Sequence, residues 1–236
     1  MADLFTGSKI SDNRFTINDQ EFHHCIRVTR HRAGDRVLVT QWDGQIYEGL
    51  IESIEKEVAN IHVHTLYKSE QIDSTKIAIA ISLTHPVDRL EWFIEKAVEN
   101  GIHEIFPMVC ERTEVKKINE QRLLKLILSA AKQTQRPLLP VLHPIMKFDQ
   151  LMPELHSYTQ KFIGYCSEEP LSFLGKLYHS KASAVVMIGP AGDFSSLEIK
   201  NALSNQFNPV SLGQYRLRTE TAGLTALQIM QTIRQL

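Results

Sequence analysis

The sequence predicts an α/β protein in which a small antiparallel β unit precedes a mostly parallel sheet covered by helices. Three observations predict it. From Arg36 to about Leu66 the chain reads RVLVTQWDGQIYEGLIESIEKEVANIHVHTL, a β-branched alternation broken by turn formers at Asp43-Gly44 and near Ala59-Asn60, as in a small antiparallel barrel or sheet. Ile77 to Leu83 (IAIAISL) is a continuous apolar run, suited to a strand buried on both faces. Strand-like and helix-like segments then alternate, the order of a parallel sheet that binds ligands at the carboxyl ends of its strands.

Residues 67 to 75, YKSEQIDST, lose the alternation and are polar, which puts a boundary at about residue 72 and divides the chain into domains 1–72 and 73–236. After the first buried strand, Pro86 opens a helical stretch, VDRLEWFIEKAVENG, that ends at Gly101. Its apolar stripe runs through Trp92, Phe93, Ile94 and Ala97, a core or dimer-contact pattern rather than a base-stacking one. The later strand candidates are Glu104 to Val109, Pro140 to Leu142, Lys161 to Cys166, Ala184 to Gly189 and Pro209 to Leu212. The helix candidates are Asn119 to Gln135, Phe148 to Leu155, Ser195 to Ser204 and Thr221 to Gln235. The chain carries no internal repeat and no low-complexity tract.

With 236 residues, 43% hydrophobic and 22% charged, the chain has ordinary core-forming material, which excludes wholesale disorder. Its 26 Lys and Arg nearly cancel its 27 Asp and Glu, so a polyanion must be met by a local basic patch. Cys25, Cys110 and Cys166 lie far apart with no CxxC pair, which argues against a disulfide framework or a thiolate zinc site and for a reducing compartment. The histidines make no metal site by spacing: His62 and His64 share a strand face and His23 and His24 are adjacent, with no carboxylate or cysteine at a helpful offset. No apolar run approaches the roughly 18 residues of a membrane span, and the start MADLFTGSKISDNRF lacks a signal architecture. A soluble, cytoplasmic protein with no membrane partner is expected.

Two turns could carry chemistry. AVVMIGPAGDFSSLEI places Gly-Pro-Ala-Gly directly after a buried strand, with Ser195-Ser196 as a helix cap and Glu198 in the first turn. The pattern is neither GxGxxG nor GxxxxGKS, and Asp193 would repel a phosphate; a tight βα connection is the plain alternative. VSLGQYRLRTETAGLTALQIM ends a strand at Ser211-Leu212-Gly213, carries Arg216, Arg218 and Glu220, and offers Thr219 or Thr221 as caps for a last amphipathic helix. Its charges taken alone read first as a plain surface ion pair. Near the amino terminus, Arg14, Arg27, Arg30, Arg32 and Arg36 are interleaved with His23, His24 and His31, and Asp35 is the only acidic residue from Phe22 to Arg36. Solvated edge charges explain some of these; clustering favours RNA phosphate contact for Arg27 and Arg30 above the others.

Several separated stretches match one family in order. IGPAGDFSSLEI is similar to a family IGPEGG followed by a helix, and SLGQYRLRTETAG to a SLG...LRTETA signature. KAVENGIHEIFPMVCERTEV and AAKQTQRPLLPVL are similar to KATELG...P...ER and AAEQ..R stretches, and the amino-terminal HHCIRV...GD.V...DG pattern also agrees. Over about residues 80 to 225 the chain thus resembles the bacterial ribosomal RNA small subunit methyltransferase E family. The resemblance implies S-adenosylmethionine-dependent methylation of N3 of a uridine in 16S rRNA, with the rRNA or the small ribosomal subunit as partner. It also implies a PUA-like β-barrel at 1–72, a SPOUT domain at 73–236 with a carboxyl-terminal trefoil knot, and a homodimer. The sequence departs from the family at Ala191, where Glu is usual after Gly-Pro, at Asp193, where Gly is common, and in KAVENG, where Asn100 replaces Leu.

On this resemblance the Gly-Pro-Ala-Gly and Ser-Leu-Gly turns bind the cofactor through Gly189, Pro190, Gly192, Leu212, Gly213, Leu217 and Thr221. Removing the N3 proton leaves charge on N3 and both flanking carbonyl oxygens, so a cationic side chain or backbone N–H aimed at those oxygens would favour the anion, and a carboxylate within hydrogen-bond reach could take the proton. Arg136 and Arg218 are the candidates for the first role and Glu220 for the second, with no metal needed. Arg136, which precedes Pro137, reads equally as a helix-end charge. Arg14, Arg27, Arg30 and Arg112 are expected on RNA. Two further readings stay open: a noncatalytic RNA-binding or ribosome-assembly protein that keeps the fold, and a SPOUT methyltransferase acting on another RNA base.

Overall fold

The computed structural model describes residues 2–71 and 75–236. Contacts divide the chain into two units, Met1–Ile72 with Ala131–Leu139, and Asp73–Ala130 with Pro140–Leu236. The boundary expected at about residue 72 lies outside the described residues.

The first unit is a six-stranded sheet built from β1 (Leu4–Thr6), β2 (Ser8–Ser11), β3 (Arg14–Ile17), β4 (Arg36–Thr40), β5 (Gln45–Glu55) and β6 (Val58–Ser69), in the order β1-β4-β5-β6-β3-β2. Only β1–β4 is a parallel pair; the others are antiparallel. Alternation puts Val37, Val39, Ala59, Ile61 and Val63 into one core with Phe5, Phe15 and Ile17. A short helix, α1 (Asp19–Phe22), runs into a π-helical turn over His23–Val28, which adds Phe22 and Cys25 to that core. The β5–β6 reversal falls at Lys56-Glu57, with Lys56 at φ 55°, rather than near Ala59-Asn60. β6 also continues to Ser69, beyond the expected end of the alternation. Residues 64–69 of β6 are exposed, so they pair through the backbone without an apolar face to betray them. Ala131–Leu139 joins this unit through an isolated bridge from Leu138 to Asp43, a bond from Gly44 N–H to the Pro137 carbonyl (3.2 Å), and an ion pair of Lys132 with Glu21.

The second unit holds a parallel sheet of β7 (Ile77–Ser82), β8 (Glu104–Val109), β9 (Val141–Leu142), β10 (Met146–Lys147), β11 (Gln160–Gly164), β12 (Ala184–Ile188) and β13 (Asn208–Val210). The order is β10-β8-β7-β12-β11-β13, with β9 also paired to β8. β7 and β12, in the middle, are buried along their whole length, as their unbroken apolar sequences require. The helices are α2 (Asp88–Glu99), α3 (Glu120–Gln133), α4 (Phe148–Glu154), α5 (Leu174–Leu177), α6 (Ser196–Ser204) and α7 (Thr219–Gln235). α6 starts as its sequence predicts: Glu198 N–H donates to the Ser195 hydroxyl and Ser195 N–H to the Glu198 carboxylate, at 3.3 and 2.8 Å.

α7 packs on α2, β7 and β12, and Gly223 makes the approach possible, since a Cβ there would lie 2.8 Å from the Phe93 ring. Phe93 is fully buried and Trp92 half-exposed. α7 begins at Thr219, with Arg218 in the cap position and no side-chain cap. Thr219 does not cap because its hydroxyl donates to the Gly189 carbonyl at 3.0 Å, and Thr221 lies inside the helix. β13 stops at Val210, leaving Ser211 and Leu212 in the following loop, where Ser211 N–H and C=O bond the backbone of Ser172 and Leu174. Among the described residues no helix is long and apolar enough to cross a membrane, and no group of His, Cys, Asp and Glu could hold a metal ion.

Candidate functional site

In the second unit the loops that follow β7, β11, β12 and β13 surround a cleft of about 750 Å³. This is the carboxyl-terminal edge of the parallel sheet, where strand order reverses between β7 and β12 and where α/β folds bind ligands. The volume lies within the range of small-molecule and cofactor sites.

The loop after β12 is held by its carbonyls. Arg112 donates to Gly192 (2.7 Å), Arg216 to Ala191 (3.3 Å) and Thr219 to Gly189 (3.0 Å). Gly189 is tight because a Cβ would meet the Phe194 ring at 3.0 Å; at Gly192 it would meet Arg112 at an ordinary 3.5 Å. Gly213 has φ 148°, a conformation open to glycine and strained for other residues. The buried Glu198 carboxylate accepts Glu111 N–H at 2.8 Å as well as Ser195 N–H, fastening the loop after β8 to the start of α6. Glu220, on the first turn of α7, is 8% exposed and its carboxylate lies 3.9 Å from Arg89. Burial first, and the Asp193 carboxylate second, push the Cys166 thiol up and away from its reactive thiolate form.

Of the residues expected at the cofactor, Gly189, Pro190, Gly192, Leu212, Gly213 and Leu217 line this cleft, and Thr221 is not among its lining residues. Arg218 and Glu220 line it too; Arg136 does not. Arg136 belongs to the first unit and is 8% exposed. Burial lowers the pKa of its guanidinium, with the charge of Glu70 opposing. Arg112, expected on RNA, lines the cleft. His85, Arg89, Glu114, Cys166 and Tyr215 also line it and were absent from the sequence expectations. Arg89 sits in the first turn of α2 and the others in loops, at positions that no spacing of charges or apolar residues marks out.

In the first unit Arg14, Arg27, Arg30, Arg32 and Arg36 are all exposed. Arg14 faces Glu52 at 3.5 Å and Arg36 faces Glu48 at 3.6 Å, weak pairs at this exposure. Arg27 lies in the last turn of the π-helical segment and Arg30 follows that segment at φ 61°.

The cleft fits S-adenosylmethionine in kind: open space at Gly213 lets a ligand approach the backbone, and carboxylates and guanidiniums stand ready for an amino-acid moiety. Residues 71–231 match the RNA methyltransferase domain family and residues 17–61 the RNA methyltransferase PUA domain family. The ribosomal RNA small subunit methyltransferase E of Bacillus subtilis is 27% identical over 225 residues, covering 90% of this chain and 88% of that protein. A crystal structure of a "probable rRNA-methyltransferase" from Porphyromonas gingivalis is 33% identical, with TM-score 0.88 over 99% of this chain and 98% of the other. The ribosomal RNA small subunit methyltransferase E of Neisseria gonorrhoeae, crystallised with S-adenosyl methionine, is 26% identical, with TM-score 0.84 over 99% and 98%.

Proposed function

Since this chain belongs to the RNA methyltransferase family, we propose that it transfers a methyl group from S-adenosylmethionine to N3 of a uridine in 16S ribosomal RNA. The observation that carries the reading is the cleft: it combines two glycine turns, a guanidinium and a buried carboxylate at the carboxyl ends of parallel strands. When bound, S-adenosylmethionine supplies an activated methyl group on a sulfonium. Gly189, Pro190, Gly192, Leu212, Gly213 and Leu217 would hold it. Glu220, whose burial keeps water from competing for its oxygens, would take the N3 proton. Arg218 would face the charge that then spreads over the uridine carbonyls, an interaction strengthened in a water-poor site. Thr221 would be a further cofactor contact. Holding the base in line with the methyl group supplies much of the remaining acceleration.

The first unit would grip RNA through Arg27 and Arg30, with Arg14 in a lesser role, and in the second unit Arg112 would meet RNA at the cleft. The remaining features belong to the same reading. After β13, at one sheet edge, the chain passes the loop after β12, bonding it through Arg216 and Thr219, and α7 then returns to pack on β7 and β12. That path suits a trefoil knot. An apolar groove lined by Phe173 at the cap of α5 and by Leu224, Ile229 and Ile233 on α7 suits a second copy of the chain, hence a homodimer. The protein would work on ribosomal RNA or the small subunit in the cytoplasm.

The test is twofold. Calorimetry is expected to show one cofactor bound per chain, and mass-spectrometric mapping of 16S rRNA from cells lacking the protein is expected to show one uridine without its N3 methyl group. Cofactor binding with fully modified rRNA in those cells would move the activity to another RNA base. Absence of cofactor binding would leave an RNA-binding protein that keeps the fold.

A further inference from the structure

We propose that Asp193 is a positioning residue of the cleft, its carboxylate tying the loop after β12 to the loop after β11. The inference rests on the cofactor reading above and deepens it. Asp193 has φ 66°, a conformation that strains any residue with a Cβ. Asp and Asn tolerate it best because a short polar side chain can bond the nearby backbone. Here both carboxylate oxygens are engaged. Phe194 N–H donates to Oδ1 at 2.8 Å and Cys166 N–H donates to Oδ2 at 2.8 Å.

The two bonds do different things. The first fixes Phe194, whose ring lies over Gly189, so it sets how deeply the glycine turn is covered. The second joins positions 27 residues apart, just beyond the ends of neighbouring strands β11 and β12, where both loops form walls of the cleft. Arg112 and Arg216 hold the same loop by its carbonyls; Asp193 takes up N–H groups. Bonds to a charged acceptor are stronger than neutral ones. Loops fixed before a ligand arrives spare that ligand the entropy of ordering them. Asp193 thereby does with its side chain what a glycine would do by flexibility: it makes the left-handed turn tenable, and it adds a cross-link.

The test titrates S-adenosylmethionine into the full chain and into Asp193→Ala, Asp193→Gly and Asp193→Asn, with unliganded thermal unfolding and Cys166 amide exchange measured alongside. Asp193→Ala loses both bonds and keeps the strain, so its Kd should rise about tenfold or more. Asp193→Gly loses the bonds without the strain and should fall between. Asp193→Asn keeps one acceptor oxygen and should recover part of the affinity. Cys166 amide exchange should quicken in the Ala and Gly variants while the amides of β7 stay protected, which separates loop release from general destabilisation. Ala and Gly variants that bind within about twofold of the parent overturn the proposal. If Asp193→Ala does not fold, the Gly and Asn variants decide by the same criterion. A parent that binds no cofactor overturns the functional reading and this inference with it, whereas a binding parent with unaffected variants overturns the inference alone.

Discussion

Arg218 and Glu220 lie two residues apart, one in the cap position of α7 and the other in its first turn, so the helix start aims opposite charges into one cleft. A guanidinium facing the developing charge is worth a few kcal/mol, so Arg218→Ala should slow single-turnover methyl transfer by roughly 100-fold. Arg218→Lys should restore only part, because a point charge does not reproduce a planar fork. Glu220→Gln should cost most at low pH and less in alkali, where uridine loses its proton unaided. Rates within about threefold of the parent for all of these would make both residues structural. The pair stood out through its likeness to the LRTETA signature; its charges alone read as a surface ion pair. Arg89, 3.9 Å from Glu220, did not stand out, since nothing in VDRLEW marks an arginine that turns back toward a distant helix.

Among the elements, α7 and β7 carry the clearest energetic tests. Gly223→Ala should destabilise the protein by about 1 to 3 kcal/mol, because Phe93 and Ile81 already fill the space a methyl group needs; thermal unfolding reads this directly. At the start of β8, Glu104 is 7% exposed and bonded to Lys76 at 2.5 Å and His143 at 2.7 Å. Burial alone would raise its pKa, but the bonds from Lys76 and His143 outweigh that and hold it below the ordinary carboxylate range. A lowered folded-state pKa stabilises the protein above the unfolded-state value and loses that contribution as pH falls through the folded one. Unfolding free energy should therefore decline in acid below about pH 4.5 and flatten in Glu104→Gln. β7, β8, β11 and β12 were readable from sequence because burial on both faces leaves apolar runs, whereas β10, only two residues long, was not. β1, β2 and β3 were not, being three or four residues long, too short for a period to declare itself. The π-helical turn at HHCIRV was hidden likewise, because Cys25 is its one fully buried residue and a single inward position sets no rhythm.

For the whole molecule, a near-neutral chain must bind a polyanion through local charge, so salt dependence measures how many phosphates it meets. Replacing Arg27 and Arg30 with neutral residues should weaken RNA binding and flatten the log–log salt slope by about 0.7 for each lost contact to a single strand. A slope identical to the parent's would place those arginines off the RNA. Ile229→Glu, in the groove of α5 and α7, should convert a sedimenting dimer to monomer, and unchanged sedimentation would leave that groove outside any dimer contact. One feature of the first unit reaches further, into how the chain is made. Its sheet is spelled out by residue 69, yet Leu138 bridges Asp43 and Lys132 pairs with Glu21. During translation these partners emerge only some seconds after the sheet, at about 5 to 20 residues per second. The nascent amino-terminal unit must therefore wait, unfinished, while the start of the next unit is synthesised. A gene fragment stopped at the linker would fix that waiting state permanently, so an excised amino-terminal unit should be handled with residues 131–139 supplied in trans or grafted on.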